Sequence, residues 1–492
     1  GMIEGMAGNV VESRQLLEQA NRLRPRHPPL LNNLAIACQS NGDHEAAVVH
    51  CREALRVDPG FAGGWYTLAV NQWHLGDAEG ALESYERVTD LQSGNADAWA
   101  NSADIRERLN QLERADADAA RALEIAPDSV MANLVAAKID LRRGHPQDCK
   151  SRMEQLLVHG NLSPNHETIA RQHLGQAFDR LDDPQQAFDQ FTQANRILSL
   201  DYDATFRPGG GPYSLATVRR TREFLQQGDA TQWESIEPLD ENESTIFLMG
   251  FPRSGTTLLE RILDTLDVFD SLEERETLAD LQRDFVMAPG GLESLGELTS
   301  ETQDGYRRAY RRRVSDWKTL KPGVRLIDKL PLNTMFLPAI NRVFPDAPVI
   351  FAIRDPRDVC LSCFMQSFAL NEAMAYFLDL DLTVEYYIEV METGLAALDM
   401  LPIQAHRVRY EDLVRDPEAE CRALLDFLQI DWNPSVLEFH RHQRGRHIET
   451  PSYLQVSQPL YSSSIGRWRK YQNLMTPHLE RLQPIVERLG YD

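Results

Sequence analysis

A 34-residue step runs through the first two hundred residues and constrains the fold more than any other feature of the chain. Pro25, Pro59 and Pro127 fall on it, with Ser93 in the remaining place. Ala47, Ala81, Ala115 and Cys149 form a column of small residues, and Gly42, Gly76, Asn110 and Gly144 form a column of turn formers. Leu31, Trp65 and Trp99 form a large apolar column. A unit of this length cannot bury its own apolar face, so the core must close by stacking each unit on the next. Each unit reads as a helical hairpin. Small residues let the two helices approach, Gly or Asn allows a left-handed turn between them, and Pro follows the second helix.

These columns resemble the tetratricopeptide repeat, most clearly in Trp65-x2-Leu68-Ala69, Gly76, Ala81, Tyr85 and Pro59. A further unit, Leu174-Gly175 with Ala187 and Phe191, stands four residues out of phase, which predicts an inserted loop near His159 to Asn165. About five hairpins are expected over residues 10 to 197, and the solenoid domain is placed at 1–197. The resemblance implies a concave face that engages a protein or peptide partner.

Residues 198–243 leave the period and contain Arg207-Pro208-Gly209-Gly210-Gly211-Pro212, a run that cannot continue a helix. They read as a linker with one helix inside it, near Ser214 to Gln227, ending in the acidic stretch Asp240 to Glu243. The second domain is placed at 244–492.

That domain opens with an apolar, β-branched run, Thr245 to Met249, followed by Gly250-Phe251-Pro252-Arg253-Ser254-Gly255-Thr256-Thr257 and a stretch of helical spacing through Leu263. A strand, loop and helix in this order aim backbone N–H groups and a helix N-terminus at one point, which suits a phosphate or sulfate. The Gly-x4-Gly spacing matches the nucleotide triphosphatase loop, but Thr256 stands where that loop has its lysine. A P-loop kinase is therefore the weaker reading of this loop, and Arg253 becomes the candidate charge.

The loop resembles the 5′-phosphosulfate loop of sulfotransferases that use 3′-phosphoadenosine-5′-phosphosulfate. A second element adds specificity: the apolar strand Pro348 to Ile353 leads into Arg354-Asp355-Pro356-Arg357-Asp358-Val359-Cys360-Leu361-Ser362. In that family an Arg at this strand end and a Ser eight residues on hold the 3′-phosphate, and Arg354 and Ser362 have this spacing. The nearest resemblance is to the tyrosylprotein sulfotransferases. It rests on Glu273-Glu274, Ile327-Asp328-Lys329-Leu330-Pro331, Arg409-Tyr410-Glu411-Asp412-Leu413, and Asp426-Phe427-Leu428 ahead of Trp432-Asn433-Pro434. It implies an α/β domain with a mostly parallel sheet after the all-α solenoid. The donor would be held by Arg253, Ser254, Gly255, Thr256, Thr257, Arg354, Ser362 and Tyr410, and adenosine 3′,5′-bisphosphate would be released.

Sulfuryl transfer to a hydroxyl needs a base for the acceptor proton and positive charge where the leaving oxygen forms. The resemblance assigns Glu274 as base and Lys329 and Ser452 to the leaving side, with a protein or peptide tyrosine among the acceptors it implies. No metal is called for. A scaffold with an inactive nucleotide-binding domain is the rival of another class, and intact Arg253, Glu274, Lys329 and Arg354 speak against it. One departure stands out: those relatives follow the catalytic Glu with Thr-Arg, whereas Glu274 is followed by Arg275 and Glu276, so a neutral or basic acceptor is expected.

Composition bounds the partners. A net charge of −23 disfavours non-specific binding to nucleic acid or anionic lipid. Against that background the stretch from Arg441 to Lys470, with Arg444, Arg446, Arg467 and Arg469, reads as a basic flap over the donor's phosphates. Six sparse cysteines fit thiols in a reducing compartment, and Cys360-x2-Cys363 reads as structural. His440, His442 and His447 lack partnering acids at ligand spacing and read as surface residues, and Tyr306 to Arg313 as an exposed helix. With no apolar run of about 18 residues and no apolar leader, a cytoplasmic protein is expected.

Overall fold

The computed structural model describes residues 10–205, 210–228, 233, 245–441 and 464–492. The chain divides into two compact units, Gly1–Gln190 and Phe191–Asp492.

The first unit is a helical array. After a leading helix, Val10–Leu23, the hairpins begin at Pro28 with Pro28–Ser40 and His44–Val57, then Ala62–His74 and Ala78–Leu91. Ala96–Arg108 pairs with Leu112–Ile125, and Val130–Arg142 with Pro146–His159. The columns act as their chemistry requires. Gly42, Gly76, Asn110 and Gly144 all have positive φ, between 60° and 79°. Ala47, Ala81, Ala115 and Cys149 are fully buried where the helices touch. Trp65 and Trp99 donate their indole N–H groups to the carbonyls of Pro59 and Ser93, at 2.9 and 3.3 Å, and Asn133 repeats the contact with Pro127 at 2.9 Å.

The phase shift has a different origin from the inserted loop that its position suggests. The helix Pro164–Arg180 has 17 residues, whereas Val130–Arg142 has 13. The extra residues thus form one more helical turn. About 3.6 residues complete a turn, so the added length returns the buried face to register. Asp182, at φ 62°, then takes the turn position.

The second unit is built on a five-stranded sheet: β1 Ile246–Met249, β2 Phe269–Glu273, β3 Arg325–Lys329, β4 Val349–Ile353 and β5 Ala405–Arg409. Its order is β2-β3-β1-β4-β5 and every pairing is parallel. β1 and β4 are buried at every position, as strands covered on both faces must be. The order reverses between β1 and β4, and the crevice beyond the C-terminal ends of such strands is where α/β sheets place ligands.

The segment expected as a linker is packed into this unit. Glu372 accepts the backbone N–H groups of Gly211 at 2.7 Å and Tyr213 at 3.1 Å, and Tyr386 donates to the Tyr213 carbonyl at 2.9 Å. Ser214 caps the helix Leu215–Gln227, which ends at Gly228 with φ 80°. Arg222 pairs with Glu389 at 2.9 Å, and Arg219 with Glu385 and Glu389. The helix Ser300–Trp317 is likewise more than an exposed basic surface. Arg307 and Tyr310 are buried, and Arg307 donates to the Val343 carbonyl at 2.8 Å. No helix among the described residues is long and apolar enough to cross a membrane.

Candidate active site

The loop after β1 is shaped by backbone strain and close approach. Gly250 has φ 154°, and a Cβ there would run into the carbonyl oxygen of Ala352 on β4. Arg253 adopts φ 70° and Gly255 φ 102°, the latter as N-cap of the helix Thr256–Leu263. Ser254 turns its hydroxyl inward, donating to the Phe251 carbonyl at 2.6 Å, so in this arrangement it closes the loop. Thr256 and Thr257 are buried in the first turn. Cys363 donates its thiol to the Pro252 carbonyl at 3.4 Å, which gives Cys363 a packing role beneath the loop.

Arg253 and Arg354, far apart in sequence, meet across the crevice. Arg253 Nε donates to Ser362 Oγ at 3.0 Å, and Arg354 donates to the Arg253 carbonyl at 3.1 Å. The Arg354 guanidinium lies 4.8 Å over the Tyr410 ring, and its Nε is buried without a hydrogen-bond partner among the described residues. Ser464, which sequence reasoning missed, completes the group. Its carbonyl accepts from Arg354 at 2.6 Å and its hydroxyl shares a hydrogen bond with Tyr410 at 2.9 Å. The available signal was the run Ser464-Ile465-Gly466-Arg467-Trp468 within the basic stretch. Asp358 anchors that run by accepting the Gly466 and Trp468 backbone N–H groups at 2.6 and 2.8 Å.

A second cluster sits at the ends of β2 and β3. Lys329 is fully buried, with Nζ 2.9 Å from Glu274, 3.2 Å from Glu273 and 3.4 Å from Glu260. Burial works against the ammonium, but Glu260, Glu274 and Glu273 together hold its pKa above the ordinary lysine range. Burial pushes Glu260 up to about 7 even beside Lys329. Glu274 is the open member, its side chain 40% exposed. Its backbone N–H donates to the Lys329 carbonyl at 2.8 Å. A buried cation beside an accessible carboxylate can hold negative charge and take a proton within one cluster.

Thus Arg253, Arg354, Ser362 and Tyr410 gather in one group and Glu274 and Lys329 in another. Ser452, His442, His447, Arg444 and Arg446 lie outside the described residues, as does the acidic run Asp240 to Glu243.

Residues 245–434 match the sulfotransferase family, and residues 28–61 and 66–130 match the tetratricopeptide repeat. Protein-tyrosine sulfotransferase 1 of Danio rerio is 30% identical over 263 residues, which cover 50% of this chain and 72% of that protein. The human protein-tyrosine sulfotransferase 1 is 29% identical over 297 residues, covering 57% and 76%. An uncharacterized protein of Aquifex aeolicus is 26% identical over 407 residues, covering 77% of this chain and 49% of that protein, so the chain spans about half the length of that relative. With a five-stranded parallel sheet, a strained loop after β1 and a helical repeat array ahead of them, the chain belongs to the sulfotransferase family and carries tetratricopeptide repeats.

Proposed function

We propose that this protein transfers a sulfuryl group from 3′-phosphoadenosine-5′-phosphosulfate to an acceptor hydroxyl, with a tyrosine of a protein or peptide as the acceptor. The observation that carries this reading is the meeting of Arg253, Arg354 and Ser362, with the Arg354 Nε buried and unpartnered among the described residues. A buried guanidinium nitrogen without an acceptor is costly unless an anion completes it, and a phosphate does so in the planar geometry arginine favours. The residues present therefore fit the donor. Arg354, Ser362, Tyr410 and Ser464 would hold its 3′ end, and Arg253, Thr256 and Thr257 at the helix N-terminus its 5′ end.

When bound, the donor supplies a sulfuryl group on a phosphate leaving group. Glu274 takes the proton of the acceptor hydroxyl, a role open to it because it is the accessible carboxylate of its cluster. Lys329, kept protonated by its three carboxylates, supplies fixed positive charge to the same site. Residues 211–227 pack into the second unit, which supports a catalytic domain that begins ahead of the family match at 245. The repeats engage the protein acceptor. A sulfate-transfer assay with labelled donor against tyrosine peptides, simple phenols and glycans tests the proposal. Transfer to a tyrosine peptide supports it, and transfer to glycans alone removes the tyrosine assignment.

A further inference from the structure

Glu274 is held at φ 48°. Residues with a Cβ avoid this left-handed backbone because the Cβ crowds the following carbonyl, and it persists only where the surroundings over-determine it. The surroundings here are the last two residues of β3. Lys329 grips the start of the turn: its carbonyl accepts the Glu274 N–H at 2.8 Å and its ammonium meets the Glu274 carboxylate at 2.9 Å. Asp328 grips the far end, where Thr277 Oγ1 donates to Asp328 Oδ2 at 2.6 Å. Within the turn, the Thr277 N–H donates to the Arg275 carbonyl at 2.9 Å.

Asp328 is fully buried, and burial pushes its carboxyl up to about 6. Its Oδ2 also accepts the Tyr310 hydroxyl at 2.8 Å, while Oδ1 has no hydrogen-bond partner among the described residues. A half-satisfied buried carboxylate contributes poorly to stability, since apolar residues of similar volume pack there at less cost. Of its two contacts, one reaches into the core through Tyr310 and the other reaches the turn that carries Glu274.

We propose that Asp328, acting through Thr277, is a positioning residue that holds Glu274 in its strained backbone and so aims the carboxylate at Lys329. The inference rests on the reading of Glu274 as the base.

The test compares three variants of the full chain. Thr277→Val removes the hydroxyl at nearly constant shape, Thr277→Ser keeps it, and Tyr310→Phe removes the other bond to the same carboxylate. Two readouts are taken: amide hydrogen exchange over residues 274–277, and kcat separated from KM for the donor. Thr277→Val is expected to speed exchange in the turn and to lower kcat about tenfold or more, with KM for the donor within about twofold. Thr277→Ser should restore both, and Tyr310→Phe should leave both within about twofold of the wild type. Unchanged exchange in Thr277→Val overturns the proposal, as does an equal loss of kcat in Tyr310→Phe, which would make Asp328 a packing residue. Glu274→Ala separates this from the reading beneath it: near-normal turnover there removes the base while a loosened turn in Thr277→Val still upholds the clamp.

Discussion

Tyr213, upstream of the first strand, gives its hydroxyl to both carboxylate oxygens of Glu276, at 2.8 and 2.9 Å. Gln282 adds a third bond to that carboxylate at 3.1 Å. The Tyr213 ring is itself seated edge-on against Phe336, with centroids 5.4 Å apart. A negative charge is thereby held in place two residues beyond Glu274.

The first prediction concerns the acceptor. Glu273 and Glu274 share the Lys329 ammonium, whereas the Glu276 carboxylate is met by the Tyr213 hydroxyl and the Gln282 amide, so Glu276 sets a negative charge at the turn. Fixed like charge repels acidic flanks on an incoming peptide. A neutral or basic tyrosine peptide should therefore be the better acceptor. Glu276→Gln keeps an acceptor oxygen for Tyr213 and removes the charge, so it should raise kcat/KM for an acidic peptide by about 3- to 10-fold. Initial rates with matched acidic and basic peptides measure this, and a wild-type preference for the acidic peptide refutes it.

A second prediction addresses the donor. ATP lacks a 3′-phosphate, so adenosine 3′,5′-bisphosphate should bind far more tightly. Arg354→Ala removes the contact with the buried Nε and should cost about 1.5 to 3 kcal/mol, or roughly 10- to 150-fold in affinity. Calorimetry with both nucleotides decides it. Equal affinities, or a variant that binds as the wild type does, would remove Arg354 from the 3′ end.

Stability should depend on pH through Glu260. Its folded pKa, about 7, lies above the ordinary carboxylate value, so the folded state binds the proton more tightly than the unfolded chain does. The resulting stabilisation is complete below the unfolded value of about 4.3 and is lost as pH rises through about 7. Glu260→Gln lacks this linkage, whereas other groups such as Asp328 contribute equally to both proteins. Thermal melts at pH 5.5 and 8 should show the wild type gaining on the variant at the lower pH. A difference in Tm that is constant or shrinks there would contradict the assignment.

Truncation separates the repeats from the catalytic domain. Each repeat contacts mainly its neighbours, so a chain starting at Phe191 should melt cooperatively and keep affinity for the bisphosphate. A chain starting at Thr245 loses the contacts of residues 211–227 with Glu372, Tyr386 and Glu389 and should melt at markedly lower temperature. Equal melting of the two would make that segment dispensable. Activity on a small phenol should survive the first truncation while activity on a protein acceptor falls.

The features legible in the sequence are those that local backbone geometry dictates. Gly42, Gly76, Asn110 and Gly144 could be read as turns because each must take positive φ, and the demand recurs at a fixed period. The sharp turn after β1 was legible for the same reason: Gly250 and Gly255 stand where a strand must turn into a helix. The spacing of Arg354 and Ser362 survived because both lie on one strand end and the helix that follows. Tertiary structure decided what depends on residues distant in sequence. The Gly- and Pro-rich composition of residues 207–212 pointed to a linker, yet Glu372 holds Gly211 and Tyr213 in the second unit. Four residues out of phase looked like a loop, because a spacing alone does not distinguish an insertion from an added helical turn. The three carboxylates on Lys329, the Tyr213 hydroxyl on Glu276 and the Thr277 hydroxyl on Asp328 leave no trace in any short window of sequence. Their chemistry follows from burial and from the order in which the strands assemble, which lowers the local dielectric and brings charges together that the chain keeps far apart.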